Sequence, residues 1–192
     1  AVPFFKMVDD QTGYIVLSKF NAKASDQTKS ALQELKGQGA KKIILDLRGN
    51  PGGLLSEAIN VTNLFVDKGE LIVTTKSKVK KFNREYRTKD QPIDMEIPLV
   101  VLVNGSSASA SEIVSGGLQD LDRAVIMGAR SFGKGLVQRP LKLTYGTQLK
   151  VTISRYYTPS GRLIQKEDYL NNGFLTDGLD KKDSLFVTKG GR

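Results

Sequence analysis

The chain has 192 residues, 39% of them hydrophobic and 26% charged, with no histidine and no cysteine. That length suits one globular domain, and the missing residue types exclude a serine–histidine–aspartate triad, thiol catalysis, disulfides and most zinc sites. No apolar run approaches 18 residues, the start lacks a signal-peptide pattern, and the net charge of +9 is read as solubility because most lysines are scattered, often beside acids.

Residues 14–20, Tyr-Ile-Val-Leu-Ser-Lys-Phe, are rich in strand formers. Ser25 or Asp26 is expected to cap a helix running to about Lys36, with Ala31, Leu32 and Leu35 as its apolar stripe and Gly37 and Gly39 ending it. Residues 42–47 form a short apolar run consistent with a buried parallel strand. After the loop Arg48-Gly-Asn-Pro-Gly-Gly53, Leu54, Leu55, Ala58, Ile59, Val61, Leu64 and Phe65 recur at helical spacing, and Gly69 closes that helix. A strand over 70–75 leads into the basic stretch 76–87, which mixes charge with Val79, Phe82 and Tyr86 and reads as an exposed β-ribbon. Residues 98–103, apolar on both faces, are expected to be the central strand. The serine cluster opens a helix over about 112–118, residues 124–127 form another buried strand, and 148–157 a longer one before the turn at 158–161. The tail ends after strand-like residues. Strands alternating with helices predict an α/β domain with a largely parallel sheet.

Residues 104–112, Asn-Gly-Ser-Ser-Ala-Ser-Ala-Ser-Glu, follow the most apolar strand directly. A helix N-terminus there supplies unpaired N–H groups and a positive dipole end, suited to an oxyanion forming beside a serine. Ser109 fits best because the small Ala110 follows it; Ser106, Ser107 and Ser111 compete on spacing, and the whole cluster can also be read as caps and tight packing. With histidine absent, the remaining activator is a lysine, which acts as a base when burial disfavours its charged form. Lys134 lies between Gly133 and Gly135, with Phe132, Leu136 and Val137 as an expected apolar wall and Gln138 in reach to orient its amine. No acid lies between Gly128 and Gln138. Residues 128–135 also follow a phosphate-binding loop up to its last position, but Gly135 stands where serine or threonine would bind magnesium, and no helix pattern follows. The Gly52-Gly53 loop is a second source of oxyanion N–H groups, and the flanking Asp46 and Arg48 read as a structural pair.

At Ile44-Leu-Asp-Leu-Arg-Gly-Asn-Pro-Gly-Gly53, residues 98–103, Ser107-Ala-Ser-Ala-Ser-Glu-Ile113, Phe132-Gly-Lys-Gly-Leu-Val-Gln138 and Arg155-Tyr-Tyr-Thr-Pro-Ser-Gly-Arg162 the chain resembles the carboxyl-terminal processing peptidases, or tail-specific proteases. The resemblance implies a crotonase/ClpP-like α/β spiral. It implies Ser109 as nucleophile, Lys134 as general base, Gln138 orienting that lysine, the backbone N–H groups of Gly53 and Ala110 as oxyanion hole, and Asp120 in a supporting role. It implies no cofactor and no metal, and an extracytoplasmic location in the bacterial periplasm or cell envelope. Family members usually carry a PDZ domain before the core and further sequence after the segment seen here as residues 188–192, so residues 1–192 are expected to be a protease core cut at both ends, without its PDZ domain.

The expected function is therefore a serine endopeptidase with a Ser109–Lys134 dyad that cleaves flexible or unfolded proteins near their C-terminal tails. Extended substrate is expected to add as a β-strand to a sheet edge such as the 70–90 ribbon. The alternative is an inactive or truncated core of the same family that grips extended peptides. Nucleic-acid binding rests on charge alone and is not expected.

Overall fold

The computed structural model describes residues 1–166 and 185–192. Most of the tail, residues 167–184, lies outside the described residues, and Leu185 to Val187 form no strand. Nine strands and three α-helices are described, in a mixed α/β arrangement around two sheets.

The first sheet has the order β1-β2-β3-β6-β7: β1 (Phe4–Met7), β2 (Thr12–Val16), β3 (Lys42–Asp46), β6 (Leu99–Val103) and β7 (Val125–Gly128). β1 runs antiparallel to β2 and the other pairings are parallel, so the largely parallel sheet expected from strand–helix alternation is present. Phe5, Ile15, Leu45, Val101 and Ile126 are partners in register and form one row across it. Ile15, Leu45 and Val101 in that row are fully buried, which locks the register, since a one-residue slip would turn them to the other face. β3 occupies the centre rather than β6, which is internal but one strand further out.

Helix α1 (Ala24–Gly37) buries Thr28, Ala31, Leu32 and Leu35. Gly13 makes room for it: a Cβ there would lie 2.9 Å from both Leu35 Cδ1 and Ile43 Cδ1. The expected cap is corrected. Lys23 is the N-cap residue, with no side-chain cap bond, because the Ser25 hydroxyl and N–H both donate to the buried Glu57 carboxylate at 2.8 Å. Gly39, at φ 99°, ends the helix as expected. α2 (Leu55–Asn63) is shorter than the apolar pattern predicted, and α3 (Ala110–Asp120) packs against it.

The second sheet is antiparallel, in the order β5-β4-β9-β8. β4 (Leu71–Lys76) and β5 (Arg84–Arg87) form the expected ribbon, and β9 (Gln148–Tyr157) is the expected long strand. β8 (Leu136–Lys142) was not foreseen. It pairs with β9 in a hairpin whose residues 138–150 are exposed, with Pro140 on the sheet edge, where its missing N–H is tolerated.

Candidate active site

The parallel strands β3, β6 and β7 deliver three loops at their C-terminal ends, where open α/β sheets place their ligands. Side chains tie the first two loops together. Asn50 is fully buried: its amide donates to Leu17 O (2.6 Å), its side-chain oxygen accepts from Gly52 N (2.9 Å), and its backbone oxygen accepts from Ala108 N (3.0 Å). The Ser107 hydroxyl donates to Leu47 O (2.8 Å) and the Ser111 hydroxyl to Asn50 O (3.0 Å). Both serines are buried and their hydroxyls hold backbone, which leaves them unsuited to attack. Ser106 is exposed on the preceding turn.

Ser109 stands apart from them. It is the residue before α3, half-buried, with φ 56° and ψ −111°. A non-glycine residue at positive φ is strained and persists when its surroundings fix it. One part of those surroundings is Gly52 at φ 97°: a Cβ there would lie 2.8 Å from Ser109 Cβ and 2.9 Å from Ala110 N. Gly52 therefore keeps open the space beside the Ala110 N–H. Gly53 follows at φ 151°, pressed against Phe20, with Leu54 N donating to Phe20 O at 2.7 Å. Among the described residues neither the Gly53 N–H nor the Ala110 N–H has an acceptor, so both stay available for an oxyanion.

The third loop carries Lys134, and an acid that the local sequence did not reveal holds it. Glu112, 4% exposed in the first turn of α3, accepts at one oxygen from the Ser131 hydroxyl (2.8 Å) and Gly133 N (2.5 Å). Its other oxygen, Oε2, accepts from Ser109 N and from Lys134 N, each at 2.8 Å. The two amide nitrogens thus lie within twice that distance of each other, although 25 positions separate the residues in sequence. Ser-x-x-Glu before an apolar run is a capping-box signature, and it is the signal that could have singled out Glu112.

Lys134 and Gln138 both line a cleft of about 590 Å³, together with Arg130, Phe132, Leu136 and Gln165. The expected apolar wall is corrected here. Lys134 and Phe132 are exposed, and Leu136 and Val137 half-buried, because the β8–β9 hairpin stands away from the body instead of folding over the lysine. Asp120, at the far end of α3, is 4% exposed; it accepts from Ser160 N (3.0 Å) and pairs with Arg162 (3.2 Å). Asp46 and Arg48 form an ion pair at 2.7 Å, with the Tyr14 hydroxyl also donating to Asp46. Burial pushes the Asp46 carboxyl up, but hydrogen bonds from Arg48 and Tyr14 prevail and hold it below its ordinary value. Among the described residues no three acidic side chains converge on a point where a metal could sit.

Residues 11–173 match Peptidase family S41. The chain is 43% identical over 162 residues to the carboxy-terminal-processing protease of Bartonella bacilliformis, covering 82% of this chain and 37% of that protein. It is 41% identical over 156 residues to the chloroplastic C-terminal processing peptidase of Tetradesmus obliquus, covering 81% of this chain and 33% of that one. The chain thus spans about a third of the length of these curated relatives. Among solved structures, the photosystem II D1 C-terminal processing protease superposes with a TM-score of 0.74 at 40% identity, over 80% of this chain and 39% of that chain. An S41 protease from Bacteroides fragilis, 18% identical, gives a TM-score of 0.70 over 84% of this chain and 47% of its own, which speaks for the fold alone.

Proposed function

The chain belongs to peptidase family S41, and from that premise we propose that it is a serine endopeptidase with a Ser109–Lys134 dyad, acting near the C-terminal tails of flexible or unfolded proteins. One observation carries the reading: a single carboxylate oxygen of Glu112 accepts from the backbone N–H groups of both Ser109 and Lys134. In this mechanism neutral Lys134 takes the hydroxyl proton as Ser109 Oγ attacks the scissile carbonyl, and Gln138 orients the amine. The N–H groups of Gly53 and Ala110 hold the oxyanion. Lys134 then gives its proton to the leaving amine, and later draws one from the water that releases the acyl group. Extended substrate adds as a strand at an edge of the second sheet. Both β5 and β8 are edges, and β8 begins directly after the lysine loop.

The proposed location is outside the cytoplasm, in the periplasm or cell envelope. No helix among the described residues is long and apolar enough to cross a membrane. The open position of Lys134 favours a second reading, a core that binds extended peptides without cleaving them. The two readings separate in one assay: incubation of an unfolded protein bearing an apolar C-terminus with the protein and with Ser109→Ala and Lys134→Ala, followed by mass spectrometry of the fragments. Cleavage lost in both variants is the expected result. Unchanged cleavage by Lys134→Ala would sink the dyad, and peptide binding without cleavage by the unmutated protein would favour the second reading.

A further inference from the structure

The lysine loop is held from a second side by the segment that follows β9. Residues 158–162 close a turn, with Thr158 N donating to Arg162 O and Gly161 N to Thr158 O, both at 2.9 Å. The chain then doubles back along β9: Leu163 bridges Tyr157, and Ile164 N donates to Tyr156 O at 3.2 Å. It arrives directly against residues 133–135. Lys166 N donates to Gly133 O (3.0 Å), Tyr156 N to Gly135 O (2.8 Å), and Gly135 N to the side-chain oxygen of Gln165 (2.8 Å). The approach is close. A Cβ on Gly133 would lie 2.3 Å from Lys166 Cβ, and one on Gly135 would lie 2.3 Å from Gln165 N. With Glu112 accepting from Gly133 N and Lys134 N, three successive amides, 133 to 135, all end on side-chain oxygens, two from one side and one from the other.

The other end of this strap is fixed on α3. Asp120, its last residue, accepts from Ser160 N and pairs with Arg162. Gly116, within the helix, lets the turn lie close: a Cβ there would come within 2.8 Å of Thr158 Cγ2. One helix therefore follows Ser109 directly, holds the lysine loop through Glu112, and anchors through Asp120 the segment that holds it again through Gln165.

Resting on the Ser109–Lys134 reading, we infer that Gln165 is a positioning residue for Lys134, and that Asp120 acts on the lysine only through this strap. Gln165 suits the task because a neutral amide oxygen accepts the Gly135 N–H without adding a second negative charge to that of Glu112 beside the lysine. Loss of the acceptor displaces the base while substrate contacts are kept, so kcat falls and KM does not.

The test uses the protein with Gln165→Leu, Gln165→Glu, Ser109→Ala and Lys134→Ala, measuring kcat, KM, the pH–rate profile and the melting temperature of each. Gln165→Leu is expected to lower kcat by tens of fold, within the roughly hundredfold that a misplacement of about 1 Å costs, with KM unchanged and the melting temperature lowered by only a few degrees, the cost of the unpaired Gly135 N–H. Gln165→Glu keeps an acceptor oxygen. It is expected to recover most of kcat at high pH, with the acid limb of its profile moved to higher pH by the added charge. Full kcat in Gln165→Leu, beside inactive Ser109→Ala and Lys134→Ala, overturns this inference and leaves the dyad standing; so does a Gln165→Glu variant no better than leucine. Activity retained in Lys134→Ala overturns the dyad itself.

Discussion

Glu112 gathers four donors on two oxygens: the N–H groups of Ser109, Gly133 and Lys134 and the hydroxyl of Ser131. A donor left unpaired away from water costs about 1–3 kcal/mol, so Glu112→Ala is expected to destabilise the protein by about 3 kcal/mol or more in urea unfolding. A loss under about 1 kcal/mol would show that water replaces the carboxylate freely. Gly52 has a narrower task. Alanine there meets both a positive φ and a contact of 2.7 Å with Ala108 O. Gly52→Ala is expected to lower kcat/KM roughly a hundredfold, the scale of losing one oxyanion donor, with circular dichroism unchanged; full activity would show that the space beside Ala110 N is not used. Ser109 and Lys134 stand out as candidates in the sequence because histidine and cysteine are absent and because each sits in a local pattern, a strand-to-helix junction and a glycine-flanked loop. The capping-box pattern marks Glu112 locally as a partner of Ser109, but its hold on the lysine loop is not legible, since its partners at 131–134 lie some twenty positions away. The exposure of Lys134 was illegible for a related reason: Phe132 and Leu136 are apolar, but the hairpin that follows decides whether they cover the lysine.

At the scale of elements, the interior strands and helices were readable because their patterns are written by burial on a fixed face. α1, β3, β6 and β9 appear within a residue or two of expectation. The strands missed, β1 and β8, are edges of their sheets. An edge strand need bury neither face fully, so alternation fades, and Pro140 further disguises β8. The cap of α1 was misread because Ser25 serves Glu57 of α2 in preference to its own helix. Tyr14 of β2 and Asp46 of β3 are joined across the sheet by a hydrogen bond, with Arg48 completing the cluster. Because the Asp46 carboxyl is held below its ordinary value when folded, it contributes stability that is fully present above the unfolded value near 3.8 and is lost as pH falls through the folded one. Asp46→Asn is therefore expected to flatten the acid side of the stability curve, read as urea midpoints between about pH 2 and 6. An unchanged slope would mean that the cluster does not couple protonation to folding.

Across the whole molecule the lysines are scattered as read, yet the net charge of +9 is not spread evenly, because the acids are not. Nine Lys and Arg residues and no acid lie between Arg123 and Lys166, so the rest of the chain, with 20 of each sign, is neutral. That stretch contains the lysine loop, the β8–β9 hairpin and the strap, and Arg130 and Lys166 of it line the cleft beside Lys134, which carries no charge as the base. Among the described residues the charged side chains lining the cleft are all basic, and a field of one sign raises the local concentration of opposite charge and loses that advantage in salt. Cleavage of a peptide with acidic flanks is accordingly expected to slow several-fold in kcat/KM between about 0.05 and 0.5 M salt, while its basic-flanked counterpart does not; parallel responses would contradict the field. The central claim, that Lys134 activates Ser109, is tested most directly by phosphonylation with a fluorophosphonate, in which the serine oxygen displaces fluoride from phosphorus, and mapping of the adduct by mass spectrometry in the protein and in Lys134→Ala. The account predicts an adduct on Ser109, none on Ser106, Ser107 or Ser111, and its loss in Lys134→Ala. An adduct on another serine, or undiminished labelling of Ser109 without the lysine, would contradict it.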